Sequence, residues 1–369
     1  MSNSRNLIAV VGAGRVGIAV ATLVSQNTPH KVLIIDADPG ALNVARATGA
    51  AFESRLCETP PELDAELRAS RPFAVVCCTP FHINIQIAKI CAEIKAHYID
   101  FTEDVGVTKA VAELNPIGTT FVLQTGLAPG LITSVGMSLL KKLCMQNLTP
   151  TALHMRVGAL PEVALFPAAY ALTWSSSGLV NEYFQPVERI VNGAVVIAEP
   201  LHDHEDIMVD GIHMEAFNTS GGMGVPSMYT GLETVDYKTM RYPGHLAFLQ
   251  KHLIEPSRKV SISNRLAKGI ELAEALFPRT RDDVVYMVVR AQGRSQAGVL
   301  HETVLQHRFY GAGGLTALEL TTAGTGAAVV ELLGSLPTGI MFGGQISLDA
   351  LLNTVTGRQF LVQVTAKSK

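Results

Sequence analysis

The sequence predicts an α/β protein, in which a doubly wound parallel sheet is followed by an α+β domain with a mostly antiparallel sheet. Three observations support this fold class. Strand and helix patterns alternate over residues 1–125 with no hairpin turns between them, as in parallel sheets covered by helices. A glycine-rich turn joins the first strand to the first helix. Beyond residue 126 the pattern changes to strands separated by hairpin-type turns.

Apolar runs and helical periodicity define the elements of the first domain. Runs rich in Ile and Val predict buried strands, and apolar residues at helical spacing predict the helices between them. Gly49 marks the end of the second helix. The predicted strands are Asn6–Val11, Lys31–Asp36, Ala51–Leu56, Phe73–Thr79, His97–Phe101 and Thr119–Gln124, and the predicted helices are Val16–Gln26, Pro39–Thr48 and His82–Ala96.

The rest of the chain is predicted to form a second domain and a helical tail. Residues 152–220 and 282–310 are rich in strand patterns, and Asn192-Gly193 and Asp210-Gly211 are dipeptides typical of hairpins. Residues 313–335 form a helical pattern rich in Ala and Gly, which favours close packing onto the first domain. The predicted segments are 1–125 for the cofactor-binding domain, 126–312 for the second domain and 313–369 for the C-terminal helical segment.

Composition restricts the class of protein. The chain has 369 residues, of which 48% are hydrophobic and 17% charged, and its net charge is −3. No basic stretch is present, so we expect no nucleic-acid partner. No apolar run reaches the roughly 20 residues that a membrane helix needs, and the N-terminus lacks a secretory signal pattern. These features predict a cytoplasmic protein without a membrane partner.

One segment is rich in potential metal ligands, His202-Asp203-His204-Glu205-Asp206. Adjacent side chains do not converge easily on one ion, and alternation along a strand would point them to opposite faces. We therefore expect a solvated turn here and predict no metal site.

The glycine-rich turn is the strongest functional signal. Gly12-Ala13-Gly14-Arg15-Val16-Gly17 fits the pattern G-x-G-x-x-G between a strand and a helix, the context that makes this pattern specific for dinucleotides. The first glycine allows the tight turn, the second lets the backbone approach the diphosphate, and the third lets the helix pack on the strand. The diphosphate is expected at the helix N-terminus, where amides and the helix dipole favour an anion.

The second strand predicts the cofactor preference. Asp36 ends this strand 19 residues after Gly17, where a carboxylate accepts hydrogen bonds from the adenosine ribose. A carboxylate there repels a 2′-phosphate, so we predict NAD rather than NADP, with Ala37 beside it and Asp38 as a second ribose candidate. Thr79-Pro80 follows the fourth strand and is a further cofactor candidate, although the proline could simply end the strand and begin the next helix.

Several segments resemble the saccharopine dehydrogenase-like superfamily, and within it the L-lysine 6-dehydrogenases. They occur in the expected order over about residues 1–345, and the glycine-rich turn adds to their specificity. The matching segments are Gln124–Gly130 (QTGLAPG), Val157–Pro161 (VGALP), Leu172–Ser175 (LTWS), Leu179–Tyr183 (LVNEY), Arg189–Gly193 (RIVNG), Glu215–Phe217 (EAF) and Thr239–His245 (TMRYPGH).

The resemblance implies a cofactor domain of the Rossmann type followed by a substrate-binding and dimerisation domain. It further implies NAD-dependent oxidative deamination of the lysine side-chain amine to the 6-semialdehyde, which cyclises to a piperideine carboxylate, and a homodimer. Saccharopine reductases tend to have a hydroxyl-rich turn after the fifth strand, whereas this chain has the acidic turn Asp100–Asp104. An acidic turn suits a cationic amine better than a dicarboxylate.

Candidate substrate and catalytic residues follow from this chemistry. Arg241 is the predicted anchor for the amino-acid carboxylate, because its guanidinium matches a carboxylate in two parallel hydrogen bonds. Tyr242 and Thr173, in the matched segments, are further substrate-binding candidates. His245, with an ordinary pKa near 6.5, is a candidate base, and capping of the helix predicted at Leu246–Leu253 is the alternative.

The carboxyl ends of the fifth and sixth strands supply the remaining candidates. Glu103 or Asp104 is predicted to pair with the substrate ammonium or to stabilise the iminium, and charge pairing with a helix N-terminus is the alternative. Gly126 is predicted to shape the turn beneath the nicotinamide.

Two other functions remain open from the sequence. The first is a saccharopine-type enzyme that makes or breaks a secondary amine, which needs a second cationic anchor such as Lys238 or Arg156. The second is a regulator that binds NAD without catalysis.

Overall fold

The structure is a computed structural model that describes residues 6–361. The parts of the predicted segments at 1–5 and 362–369 lie outside the described residues. The chain divides into two compact units. The first unit contains residues 6–134 together with 319–361, and the second contains residues 135–318. The two boundaries between these units, at 134/135 and 318/319, fall inside helices rather than in linkers.

The first unit alternates strands and helices from its start, as the sequence predicts. Its strands are β1 (Leu7–Val11), β2 (Lys31–Asp36), β3 (Glu53–Leu56), β4 (Ala74–Cys77), β5 (His97–Asp100) and β6 (Thr120–Leu123). Its helices in the same stretch are α1 (Arg15–Asn27), α2 (Pro39–Ala47), α3 (Pro60–Ser70), α4 (Phe81–Ile94), α5 (Val105–Ala112) and α6 (Leu131–Met145), the last of which continues into the second unit.

The second unit contains the long strands. Its strands are β7 (Thr149–Pro161), β8 (Val187–Val191), β9 (Ala194–Ala198), β10 (Glu205–Val209), β11 (Ile212–Asn218), β12 (Thr234–Arg241), β13 (Asp283–Arg294) and β14 (Leu300–Tyr310). Its helices are α7 (Ser176–Phe184), α8 (His245–Leu249), α9 (Glu255–Arg258) and α10 (Arg265–Leu276), with one turn of π-helix at Gln250–Ile254 between α8 and α9. The chain then forms α11 (Ala317–Leu332), β15 (Gly339–Phe342) and α12 (Leu348–Asn353) of the first unit.

The first sheet confirms the predicted doubly wound parallel fold. Its seven strands have the order β15-β6-β5-β4-β1-β2-β3, and every pair is parallel. The central strands are buried on both faces, as expected of a sheet covered by helices. Because all strands point the same way, the turns after them meet at one edge of the sheet.

The C-terminal segment differs from the helical tail that the pattern suggested. The helix predicted over 313–335 corresponds to α11. The four residues of β15, which lie after this helix in the chain, form a strand rather than a helix. This strand pairs in parallel with β6, with Gly339 opposite Thr120. Along α11, a Cβ built at Gly326 would lie 2.4 Å from the Phe101 ring, so the helix lies directly against the residue that follows β5.

The second sheet is mostly antiparallel, as predicted. Its order is β10-β11-β12-β7-β13-β14, and only β12 and β7 pair in parallel. The predicted hairpin dipeptides join β8 to β9 and β10 to β11, where Asn192, Gly193, Asp210 and Gly211 all have positive φ. That geometry matches the right-handed twist of paired strands. An apolar core that includes Tyr170, Phe217 and Met240 packs between this sheet and the helices of the unit.

Residues 6–361 lack two kinds of feature. No helix in this range combines the length and apolar character needed to cross a bilayer. No group of three or more His, Cys, Asp or Glu side chains in the same range is arranged to hold a metal ion.

Candidate functional site

The glycine-rich turn is closed to side chains on one side. Gly12 has φ of +104°, and a Cβ built there would lie 2.6 Å from the Cys78 carbonyl oxygen. A Cβ at Gly17 would lie 1.8 Å from the Gly12 carbonyl oxygen. Both contacts involve backbone atoms and cannot be relieved by a rotamer change. Glycine is thus required at the turn itself and where α1 packs against β1, the two roles expected from the motif.

The same turn is open on its other side. A Cβ at Gly14 would meet nothing within 4 Å. Helix α1 begins at Arg15, and neither a side-chain hydrogen bond nor an acidic residue of the first turn covers its start. Arg15 and Val16 are both partly exposed. An uncapped helix N-terminus beside an open glycine fits an anionic diphosphate, so these residues fit a dinucleotide cofactor.

Asp36 lies next to this turn at the end of β2. Its carboxylate accepts hydrogen bonds from the amides of Ala13 and Asp38, the latter at 2.8 Å, and Ala37 is exposed beside it. Asp38 instead caps α2 by accepting from the Gly40 amide at 2.7 Å. Asp38, the second ribose candidate, therefore has a structural role, and Asp36 remains the better placed carboxylate.

The turn after β4 adjoins the glycine-rich turn through Cys78, whose carbonyl oxygen lies against Gly12. Thr79 follows, with its hydroxyl 3.2 Å from the Cys77 sulfur and 3.3 Å from Asn84 Oδ1. Pro80 occupies the N-cap position of α4. The proline therefore does begin the helix, as the alternative interpretation supposed, and the same turn lies beside the predicted cofactor site.

The two acidic residues after β5 have different surroundings. Asp104 is the N-cap of α5 and accepts from the Val107 amide at 2.8 Å, which is the structural alternative considered for it. The Glu103 carboxylate accepts a hydrogen bond from its own backbone amide and forms no ion pair with residues 6–361. Burial, together with the charges of the Asp104 and Asp100 carboxylates, raises the pKa of Glu103 to about 7. Glu103 is thus the acid of this turn that is suited to proton transfer near neutral pH.

The turn after β6 is tightly enclosed. Gly126, Thr125 and Leu127 are buried, and the Gly126 carbonyl accepts from the Leu131 amide at 2.8 Å, where α6 begins. The Thr125 hydroxyl donates to the Asp100 carbonyl at 2.6 Å, which ties this turn to the end of β5. These contacts fix the backbone shape predicted for Gly126 but supply no proton donor or acceptor of their own.

Arg241, at the end of β12, lies in the interior of the second unit. It is 3% exposed, and its Nη2 donates to Glu182 Oε1 at 3.0 Å and to the Tyr183 hydroxyl at 2.8 Å. Its Nε also donates to Tyr183, and its Nη1 donates to the Met240 carbonyl. The predicted anchor is thus already paired with one carboxylate, and a substrate carboxylate would have to share the guanidinium with Glu182.

His245 lies in the same cluster but is not the base that its ordinary pKa suggested. It is fully buried, and its Nδ1 donates to the Ala168 carbonyl at 2.8 Å. Its Nε2 faces the Tyr183 hydroxyl at 3.4 Å. Burial and the nearby charge of Arg241 lower the pKa of His245 to about 3. The assumed value near 6.5 is therefore wrong, and the imidazole stays neutral at physiological pH.

Two buried hydroxyls complete this cluster. Tyr170 is fully buried with Arg241 4.9 Å from its ring centroid, and Thr173 lies beside the Tyr170 hydroxyl. Neither Tyr170 Oη nor Thr173 Oγ1 has a hydrogen-bond partner among the described residues. Unpaired buried hydroxyls are costly and commonly mark places where water or a ligand binds. Sequence reasoning singled out Thr173 but missed Tyr170, which lies just before the matched LTWS segment.

Tyr242 lies apart from this cluster. Its hydroxyl donates to the carbonyls of Pro161 and Glu162, at 3.0 and 3.3 Å. The structure therefore brings Thr173, Arg241 and His245 together and places Tyr242 elsewhere.

The two candidates for a second cationic anchor are also paired. Arg156 donates to Glu205 Oε2 at 2.8 Å and to Asp236, and Lys238 donates to the same Glu205 oxygen at 3.0 Å. Asp236 also pairs with His154 at 2.8 Å. This network is largely buried on β7 and β12, so neither cation is available to a second substrate carboxylate without breaking an ion pair.

Replacing Tyr183 tests how far the second unit depends on solvating Arg241. Tyr183→Phe removes an acceptor from a buried guanidinium and should lower the free energy of unfolding by about 2–3 kcal/mol. Tyr242→Phe, the matched control, loses only neutral hydrogen bonds to carbonyls and should cost about 1 kcal/mol. Urea unfolding of both variants gives the comparison. Equal losses would contradict the assigned role of Tyr183.

Two family models match successive parts of the chain. Residues 8–121 match the family described as the saccharopine dehydrogenase NADP binding domain, and residues 126–361 match the saccharopine dehydrogenase C-terminal domain. The first description agrees with the open glycine-rich turn and indicates a nicotinamide cofactor.

Two relatives extend the comparison. The chain is 26% identical over 249 residues to the mitochondrial alpha-aminoadipic semialdehyde synthase of Bos taurus, in a match that covers 63% of this chain and 26% of the bovine protein. The fold of this chain is similar to that of saccharopine dehydrogenase (L-Glu forming) from Saccharomyces cerevisiae, with a TM-score of 0.74 and 14% identity. The match covers 96% of this chain and 97% of the yeast chain. On the family matches over both units, the chain belongs to the saccharopine dehydrogenase family.

Proposed function

We propose that the protein catalyses the NAD-dependent oxidative deamination of an amino-acid side-chain amine, with L-lysine as the substrate. The carbon bearing the amine loses a hydride and the nitrogen loses a proton, and water then hydrolyses the imine to the 6-semialdehyde and ammonia. Bound NAD⁺ is the hydride acceptor. The observation that carries the proposal is Glu103, an acid after β5 with a pKa raised to about 7 and no cation paired with it among the described residues.

The chain's own residues have distinct tasks in this proposal. Glu103 accepts the proton that the substrate ammonium must lose before nitrogen can expel a hydride from the neighbouring carbon. Arg241 binds the distal carboxylate, sharing its guanidinium with Glu182. The hydroxyls of Tyr170 and Thr173 are available to the polar end of the substrate. A lysine-like substrate needs an acceptor for its ammonium proton and a cation for its carboxylate, and the chain supplies a group of each kind.

We further propose that the cofactor is NAD rather than NADP. The carboxylate of Asp36 beside the glycine-rich turn disfavours a 2′-phosphate. Arg15, the cation within the motif, is held by its ion pair with Glu319 at 2.8 Å, which restricts its reach towards an additional phosphate on the ribose. Both features favour a free ribose hydroxyl.

A saccharopine-type secondary amine is the second candidate. The family descriptions and the name of the yeast protein favour it. The ion pairs of Arg156 and Lys238 weigh against it, because the additional carboxylate of such a substrate needs a cation of its own. The third possibility is a regulator that binds the cofactor without turnover. A regulator needs no proton acceptor, so it gives no reason for the raised pKa of Glu103.

A substrate panel tests the proposal. NADH formation, followed by absorbance, is expected with L-lysine and NAD, with much less product when NADP replaces NAD. Ornithine, saccharopine and simple diamines serve as comparison substrates. Turnover of saccharopine but not lysine would select the second candidate. Cofactor binding without turnover of any amine would select the regulator.

The pH profile tests Glu103. Because its pKa is raised to about 7, its active, ionised form is lost as the pH falls through that value, so kcat/KM should decline below pH 7. Glu103→Gln should reduce kcat/KM by about 10²–10⁴-fold and remove this decline. Glu113→Gln, an exposed acid at the end of α5, is the control and should keep both rate and profile. A Glu103→Gln enzyme with an unchanged profile would place the base elsewhere.

We also propose a homodimer. Strand β9 pairs only with β8 among the described strands, and it exposes Val195 and Ile197 by 53% and 65%. Exposed apolar strand edges are typical of association surfaces. Light scattering should give twice the chain mass of 39.4 kDa, and Ile197→Lys should shift the protein towards the monomer. Ile117→Lys, at an exposed apolar residue of the first unit, should leave the mass unchanged.

A further inference from the structure

An ion pair joins the glycine-rich turn to helix α11. Arg15 Nε lies 2.8 Å from Glu319 Oε1, although the residues are 304 positions apart in the chain. The Glu319 side chain is 4% exposed, whereas that of Arg15 is 30% exposed. A buried carboxylate therefore holds a partly exposed arginine that would otherwise sample many rotamers.

The backbone around Glu319 is itself fixed. The two amides just before it, those of Ala317 and Leu318, donate to the Asp283 carboxylate at 2.6 and 3.1 Å. Asp283 thus caps the start of α11, where the helix dipole favours a negative charge. With its side chain buried, Glu319 provides a rigid partner for Arg15.

Arg15 is the first residue of α1, at the uncapped start that fits a diphosphate. A guanidinium presents five N–H donors in a plane, so one arginine can donate through Nε to a carboxylate and through its terminal nitrogens to phosphate oxygens. An arginine that is oriented in advance loses less side-chain freedom when it binds.

We propose that Glu319 is a positioning residue for the cofactor, which holds Arg15 so that its guanidinium faces the diphosphate. Glu319 acts only through Arg15 and does not itself touch the cofactor. The inference rests on the proposed placement of a dinucleotide at the glycine-rich turn, and it adds a residue from the far end of the chain to that site.

A double-mutant cycle on NADH affinity tests this inference. NADH is titrated into the full-length protein, and the dissociation constant is measured from the change in nucleotide fluorescence. Arg15→Ala and Glu319→Ala should each weaken NADH binding by about tenfold, as expected for a charge-assisted hydrogen bond. The double variant should bind NADH no more weakly than Arg15→Ala alone, because Glu319 then has no arginine to orient.

Glu331→Ala is the matched control. Glu331 lies on the same helix and accepts from the amides of Val355 and Thr356 at 2.7 and 2.9 Å, away from Arg15. Its loss should leave NADH affinity unchanged even if it lowers the melting temperature. If Glu319→Ala does not fold, Glu319→Gln replaces it in the same cycle, since it keeps an oxygen acceptor but removes the charge.

The outcomes separate the possible failures. Unchanged or tighter NADH binding by the Glu319 variant would overturn the inference, and so would losses that add in the double variant. If the unaltered protein binds neither NADH nor NADPH, the cofactor assignment itself fails. NADH binding by the unaltered protein together with no effect of Glu319 rejects the positioning role alone.

Discussion

The parallel direction of the first sheet determines where the first unit can perform chemistry. Every strand of such a sheet ends at the same edge, so residues from distant parts of the chain meet there. Four candidate residues are far apart in the sequence but each lies at or just after the end of a strand. They are Gly12 after β1, Asp36 at the end of β2, Thr79 after β4 and Glu103 after β5. Strand pairing in one direction places all of them at one edge, where the uncapped start of α1 adds a site for an anion.

Much of this fold was predictable because its signals are local. The strand Lys31–Asp36 was predicted with the bounds that it has, since its apolar run ends at a charged residue. Helix α3 was missed because its sequence is polar and only Leu67 is buried, although the capping box of Thr59 and Glu62 was a usable signal. Strand β15 has no comparable signal, because four residues at a sheet edge owe their structure to pairing with β6.

The candidate site in the second unit was predictable by residue type but not by arrangement. A sequence motif identified Arg241 as a candidate substrate-binding cation. Its ion pair with Glu182 could not be predicted, because the two residues are 59 positions apart and no local sequence pattern connects them. Burial of a guanidinium requires such a counter-charge, and the requirement becomes visible only when the surrounding atoms are known. The depressed pKa of His245 has the same origin, since enclosure and a neighbouring positive charge depend on tertiary packing.

Because α11 and β15 return to the first unit, that unit is discontinuous in sequence, with residues 135–318 inserted between its two parts. A fragment that stops at residue 134 would lack β15 and leave β6 as an open edge, and exposed edges invite aggregation. It would also lack Glu319. A soluble, stand-alone dinucleotide-binding fragment would therefore need a splice that connects the region near 134 to the region near 319. Any gene rearrangement that exchanged the inserted part for another would have to preserve both junctions together.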